Sequence, residues 1–477
     1  MKKSLVILSL LASANAFAGS IDYLAQQDAE YFAHPAMIGK VGVSGAYYNP
    51  AGTVFLEDGL YVQLNSQTLF KTYEMDTRLD GTDKLSHESD HPSAFVPSIQ
   101  IVKKEGDRSY FLHAGAAAGG GAVKYKNGIS AFEVIGQGIE DSLNLGIWNA
   151  LLPDKQDSLN KNPSSKPTVL NANVNYLGGS TVNGSSYYIN TTFGMSQKIN
   201  SKFSIAGGLR FMYAMRELNG TANYELYAGN VLPSDKVPNK NKTGNVRVDI
   251  DSERTGWGVG GVLGFHYQPT EKLNIGFKYE TEVELNFDAD GSVSTTSKNP
   301  YFKTDTGKGS IVGNINGALK KEPVIAEWLE DDRRNLPAMM ALGVSYELTD
   351  RITLLTSGNY YFIKDANRNG CYDNYDNGYE ISVGIDYKLN DKWTLMAGYQ
   401  YTDTGANENT YKDTDYTLDA DMYGVGVKYT PDETKEFIVS YAYVDYKNGT
   451  AVNEKGHETT TFKKEVNAIG LSAAFKF

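Results

Sequence analysis

Apolar and polar residues alternate with period two through fourteen stretches of this chain, and each stretch is predicted to be a β-strand. They lie near 59–76, 94–104, 108–126, 184–199, 202–227, 244–269, 271–291, 335–349, 351–365, 376–390, 391–405, 414–430, 434–448 and 462–477. In the last of them Ile469, Leu471, Ala473, Phe475 and Phe477 share one side, and Ala468, Gly470, Ser472, Ala474 and Lys476 share the other. The stretch from Lys272 sets Leu273, Ile275, Phe277, Tyr279, Val283, Leu285 and Phe287 against Lys278, Glu280, Glu282, Glu284 and Asp288. A soluble sandwich would bury the same apolar face, so one strand decides nothing; the connections do. Tight turns at Lys104 to Asp107, Asn200-Ser201, Pro269 to Glu271, Thr349-Asp350, Asn390-Asp391 and Pro431 to Glu433 alternate with connections of roughly ten to nearly sixty residues. Bacterial outer-membrane barrels have this asymmetry, and closure satisfies every backbone polar group in lipid. The expected fold is all-β: a 14-stranded antiparallel transmembrane β-barrel over 59–477, with residues 127–183 and 292–334 as its largest extracellular loops.

Residues 1–18 read as a cleaved signal peptide: Lys2 and Lys3, an apolar run from Leu5 to Leu11, then Ala16-Phe17-Ala18, so that the mature chain starts at Gly19. That run is too short for a membrane helix, and no other stretch approaches 18 apolar residues. A mean hydropathy of −0.40 is compatible with a barrel, which shows lipid only alternate residues. Tyrosine (33) far outnumbers tryptophan (4), and Tyr267, Tyr346, Tyr387 and Tyr429 sit at strand ends, as an interfacial girdle requires. The net charge of −12, with no basic stripe, argues against a nucleic-acid partner. The single Cys371 leaves no intramolecular disulfide. The six histidines show no metal-ligand spacing and no serine-centred elbow is present, so no enzyme is expected.

Residues 19–58 do not alternate. Asp22 to Phe32 has weak helical spacing, and Val41 to Leu56 is Gly/Ala-rich and uncharged. Eight strands leave an interior that side chains fill, and sixteen leave a water channel, so fourteen leave a hole that needs filling. The segment is therefore expected to be a plug with short helices inside the barrel, a flexible periplasmic tail being the alternative.

Four further patterns carry chemistry. The loop 127–183 holds Phe132, Ile135, Leu143, Trp148 and Leu151, and the loop before the eighth strand holds Ile325, Trp328 and Leu329; both are too apolar for plain connections and either form a groove or cap the barrel. The third strand contains Gly119, Gly120 and Gly121, which mark a bend or simply make room for the plug. Arg210 and Arg216 point inward by alternation, toward a ligand carboxylate or toward lumenal acids such as Glu280, Glu282 or Glu284. Asp365, Asn367, Asn369, Asp373 and Asp376, with Gly370 at the turn, match a calcium loop closed by Asp rather than Glu; a turn-rich polar loop has the same composition. No cofactor is required, and a structural calcium ion is the one metal this pattern offers.

Several short motifs, in order, resemble the FadL-type outer-membrane transporters of long-chain fatty acids, a family that also includes aromatic-hydrocarbon channels. Tyr47 to Gly52, with Asn49-Pro50-Ala51, is similar to the family's hatch motif; Ala94 to Ser98 resembles its second strand, Asn335-Leu336-Pro337 its Asn-Leu-Pro strand opening, and Lys278 to Val283 its Tyr-x-Ser-Glu-Val strand. The resemblance implies a fourteen-stranded barrel with an N-terminal hatch. It also implies capture of a hydrophobic small molecule on external loops, hatch rearrangement, and sideways exit at a kinked third strand. The expected setting is the outer membrane, as a monomer among lipids and lipopolysaccharide. A general diffusion porin or a surface adhesin is the alternative.

Overall fold

The computed structural model describes residues 27–77, 85–129, 131–132, 136, 172–228, 242–298, 328–366, 374–411, 416–452 and 458–477. Fourteen antiparallel strands close on themselves. They are β1 (Gly59–Thr77), β2 (Leu85–Ser89 and Ser93–Glu105), β3 (Arg108–Tyr125), β4 (Ala172–Asn200), β5 (Phe203–Ala228), β6 (Lys242–Thr270) and β7 (Leu273–Glu280 and Asn286–Lys298). The circuit continues through β8 (Asp332–Arg333 and Met339–Glu347), β9 (Ile352–Tyr361), β10 (Gly378–Lys388), β11 (Trp393–Asp403), β12 (Ala420–Asp432), β13 (Lys435–Tyr446 and Gly449–Val452) and β14 (Glu458–Lys476). β1 pairs with β14 from Tyr61↔Lys476 to Thr77↔Thr460, which seals the cylinder.

Alternation sorts the wall as expected. On β10, Ile381, Val383, Ile385 and Tyr387 face outward, while Glu380, Ser382 and Asp386 are buried in the lumen. The outward apolar residues meet lipid, so their water exposure in isolation is the signature of a membrane wall. Tyr267, Tyr346, Tyr387 and Trp393 ring the end that carries the short turns, and the Trp393 and Tyr429 rings stack at 4.4 Å.

Three strands depart from the sequence reading. β4 starts at Ala172 rather than near 184, because it forms one long hairpin with β5 that runs into the segment read as loop 127–183. β7 extends to Lys298, into the segment read as loop 292–334, by pairing with β6. β7 is also interrupted. Between the pairs Val262↔Glu280 and Trp257↔Asn286, five steps along β6 answer six along β7. One extra residue reverses every side chain beyond it. Val283, Leu285 and Phe287 therefore turn inward and are fully buried, and the expected lumenal row of Glu282, Glu284 and Asp288 ends at Glu280.

Among the described residues, the pairing of β2 with β3 stops partway along the wall. β2 and β3 pair only from Ser98↔Gly115 to Glu105↔Arg108. Beyond Gly115, β3 leaves β2 and holds to β4 alone, with register slips between Ala116 and Ala118 and between Ala118 and Gly121. Gly119 (φ 99°) and Gly121 (φ 59°) supply the left-handed backbone that the slips require, and a side chain at Gly119 would stand 2.4 Å from the Ser186 carbonyl.

Candidate functional site

The lumen is filled by the chain's own leading segment, the hatch, from Gln27 to Leu56. It consists of α1 (Ala29–Ala33), α2 (Gly45–Tyr48) and a 3-10 turn (Pro50–Phe55). Asp28 caps α1 by accepting from the Tyr31 N–H at 3.0 Å. Burial, and the neighbouring Glu30, push the Asp28 carboxyl up to about 7. Pro50 opens the 3-10 turn, where its missing N–H leaves no donor unsatisfied.

Each member of the Asn49-Pro50-Ala51 triplet bonds a different part of the wall. Asn49 Nδ2 lies 3.1 Å from the Ile38 carbonyl oxygen and 3.1 Å from His266 Nδ1 on β6. The Pro50 carbonyl accepts from Ser196 on β4 at 2.7 Å, and the Ala51 carbonyl from Ser204 on β5 at 2.6 Å. The wall makes room with glycines: a Cβ would sit 2.0 Å from the Ile38 carbonyl oxygen at Gly276, 2.5 Å from His34 at Gly398, and 2.1 Å from the Phe32 carbonyl oxygen at Gly424. On the far side an ionic network ties hatch to wall. Lys40 reaches Glu30 at 2.5 Å and Asp386 at 2.8 Å; Lys428 reaches Glu30 at 2.7 Å and Glu436 at 3.2 Å; His34 meets Asp386 at 2.9 Å. Glu30, His34 and Asp386 converge closely enough to hold a metal ion, but two lysines already neutralise those carboxylates. The sequence reading missed this network, since its partners lie some 350 residues apart; the charges of Glu30 and Lys40 in a buried segment were the available signal.

Between hatch and wall lies a cavity of about 30 Å³, lined by Tyr31, Pro35, Ile38, Tyr47, Tyr48, Ala117, Arg210, Lys278, Glu280, Leu336, Pro337, Met339, Asn359 and Tyr361. In its wall Glu280 is bound by Arg210 at 2.8 Å and Lys278 at 3.0 Å, and the Lys278 ammonium stands 4.5 Å from the Tyr47 ring centre.

Arg210 therefore takes the lumenal acid that the sequence offered it. Arg216 does not: its guanidinium lies 4.7 Å from the Trp328 ring centre, whose other cation, Arg254, stands at 4.4 Å and pairs with Asp332 at 3.2 Å. Arg216 and Arg254 face each other across β5 and β6, and Nε and Nη1 of Arg216 are buried with no hydrogen-bond partner among the described residues. Trp328, 3% exposed, is thus clamped rather than displayed. Leu329 packs toward Gly291 on β7. Phe132 is buried against the β4–β5 hairpin, and its carbonyl accepts from Tyr224 at 2.6 Å. Ile135, Leu143, Trp148, Leu151 and Ile325 lie outside the described residues, as do Asn367, Asn369 and Asp373 of the calcium pattern. Of that pattern, Asp376 is paired with Lys364 at 2.5 Å, and Asp365 ends a 3-10 turn.

The sequence profile of the family described as "Outer membrane protein transport protein (OMPP1/FadL/TodX)" matches residues 172–477. Curated relatives include outer membrane protein P1 of Haemophilus influenzae, 26% identical over 252 residues (47% of this chain, 48% of the relative). A 47 kDa outer membrane protein of Pasteurella multocida is 25% identical over 277 residues (54% and 60%). The chain spans about half the length of the curated relatives it matches. Among solved structures, a Pseudomonas aeruginosa FadL homologue superposes with a TM-score of 0.60 at 16% identity, covering 97% of this chain and 100% of that one. The Pseudomonas putida toluene transporter TodX gives 0.59 at 13% identity, covering 95% and 99%. Identities this low speak for the fold alone.

Proposed function

The chain belongs to the OMPP1/FadL/TodX family of outer-membrane transport proteins, and on that premise we propose that it is a passive channel for hydrophobic compounds, long-chain fatty acids or related lipophilic molecules. The observation that carries this reading is the hatch: it is bonded into the lumen, while the strand ladder between β2 and β3 beside it ends at Ser98↔Gly115. A wet pore gives a hydrophobe nothing, whereas each methylene removed from water gains roughly 0.8 kcal/mol, so a dozen gain about 10 kcal/mol. Such a ligand would be captured on the external loops, pass to the tyrosine-lined cavity, and leave sideways where β3 carries Gly119, Gly120 and Gly121.

Arg216 is the better placed of the two arginines for a ligand carboxylate. Arg210 is held by Glu280, while Arg216 has buried guanidinium nitrogens without hydrogen-bond partners among the described residues. The test is uptake of labelled oleate and labelled toluene by cells with and without the protein. Equal uptake removes the transport reading. Large, steady ion currents from the purified protein would instead support a diffusion porin.

A further inference from the structure

We propose that Gln27 is the positioning residue that couples the hatch to the opening in the wall, so that filling the cavity loosens the foot of the gap. This rests on sideways exit between β2 and β3.

Gln27 stands where β3 leaves β2. Gly115 is the last β3 residue paired with β2, and Ala116 is the last before the register with β4 slips. The Ala116 carbonyl accepts from Gln27 Nε2 at 2.6 Å. Gln27 Oε1 meets His113 Nε2 on β3 at 3.0 Å, and the Gln27 carbonyl accepts from Ser98 Oγ on β2. One buried side chain and its own peptide thus span both lips of the gap at the level where the strand ladder ends. Gly115 admits it: a Cβ there would stand 2.6 Å from Gln27 Oε1.

The fourth bond runs back into the hatch. The Gln27 N–H donates to the Tyr48 hydroxyl at 2.9 Å. Tyr48 stacks on Tyr31 at 5.8 Å, and both line the cavity together with Ala117 of β3. A cavity of about 30 Å³ has room for a water or two, not for a hydrocarbon. A ligand entering it must displace a lining group, and the tyrosines are bound to the hatch while Ala117 belongs to the unpaired part of β3. Moving Tyr48 takes the acceptor from the Gln27 N–H, and moving Ala117 shifts the carbonyl next to it that Gln27 holds. Either displacement reaches both lips of the gap through the same residue.

The test uses full-length protein in lipid nanodiscs. On a Cys371→Ser background, spin labels at Phe95→Cys (β2) and Lys124→Cys (β3) report the gap width with and without oleate. The unaltered Gln27 should give a wider gap with oleate. Gln27→Leu keeps the N–H to Tyr48 but removes both side-chain bonds to β3. It should retain oleate binding and show the gap already wide without oleate, so that the oleate-dependent widening is lost. Gln27→Glu keeps an acceptor for His113, loses the donor to Ala116, and should show the same split. A merely structural role for Gln27 would lower binding and uptake together and leave the widening intact in the folded fraction, as judged by heat-modifiable mobility on gels; that result overturns the proposal. Gly119→Val separates the two readings. If it transports like the unaltered protein, sideways exit fails and this coupling with it. If it blocks uptake while both Gln27 variants widen and transport normally, the coupling alone fails.

Discussion

Replacing Asn49 by alanine should unplug the barrel intermittently without unfolding it. The Asn49 amide is fully buried and serves two acceptors at once, the Ile38 carbonyl within the hatch and His266 on the wall, each at 3.1 Å. Its cradle is specific: a Cβ on Gly276 would lie 2.3 Å from Asn49 Nδ2. Asn49→Ala leaves both acceptors without that donor. Only the His266 bond joins hatch to wall, and a buried group that loses its partner costs about 1–3 kcal/mol, so docking weakens by about 2 kcal/mol. At 1.4 kcal/mol per decade, the population with the hatch undocked rises roughly thirtyfold. The strand ladder does not involve Asn49, so the barrel's heat-modifiable mobility should be unchanged. Planar-bilayer recording is the direct assay, with rare brief openings in the unaltered protein becoming frequent in the variant. Maleimide labelling of Ala46→Cys, on the hatch helix α2 and buried while the hatch is docked, gives an independent readout on a Cys371→Ser background. If opening frequency and labelling rate both stay at the unaltered level, the Asn49 bonds do not hold the hatch.

Lys428→Met should lower the thermal midpoint sharply, since removing one partner of a buried ion pair costs about 3–5 kcal/mol. Adding Glu30→Gln should return part of the loss, and additive losses in calorimetry would refute a direct pair. Arg216→Gln should weaken oleate uptake by about ten- to a hundredfold, the range for a charge-assisted hydrogen bond, while leaving toluene uptake unchanged; equal loss of both would show that Arg216 only holds Trp328. Millimolar calcium should raise the thermal midpoint of the unaltered protein but not of Asp365→Asn, as expected for a weak extracellular site; identical midpoints would remove the calcium loop.

The barrel was legible because alternation is a local signal repeated fourteen times, and because closure leaves no other use for it. The strand ends were less so. The β4–β5 extension beyond residue 184 arises from hairpin pairing, and Gly-rich positions such as Gly178 and Gly184 broke the pattern. The inward turn of Val283, Leu285 and Phe287 depends on a one-residue bulge, which no property of those residues announces. The hatch triplet was visible as a motif, but its bonding to Ser196, Ser204 and His266 was not, because the partners are serines and a histidine on three distant strands. Arg210 and Arg216 read alike in sequence; the fold separates them by giving Glu280 to one and Trp328 to the other.

Energetics favour the side exit over expulsion of the hatch. Withdrawing the hatch would break its bonds to the wall: Ala29 N–H to Ser472, Tyr31 to Gln400, Ile38 N–H to Ser357, Asn49 to His266, Pro50 to Ser196, Ala51 to Ser204, Thr53 to Ser109, and the ion pairs through Lys40 and Lys428. At about 1 kcal/mol net for each hydrogen bond, and more for buried charges left unpaired, the sum is of order 10 kcal/mol. That rivals the whole transfer free energy of a long acyl chain, so a ligand could clear the hatch only by surrendering what drew it in. Spreading β3 from β2 above Gly115 breaks no ladder, since those residues are already unpaired with each other. The described bonds at that seam are Lys124 N–H to Ser89 Oγ, His87 Nδ1 to the Asn127 carbonyl, the exposed Lys126–Asp90 ion pair, Lys71 to the Ala122 carbonyl, and the Gln27 bridge. On the proposed reading, these contacts, one of them an exposed ion pair, would be cheaper to break than the nine of the hatch, and with an apolar destination in the surrounding bilayer the wall would be the door for a hydrophobe while the hatch stays in place against water and ions.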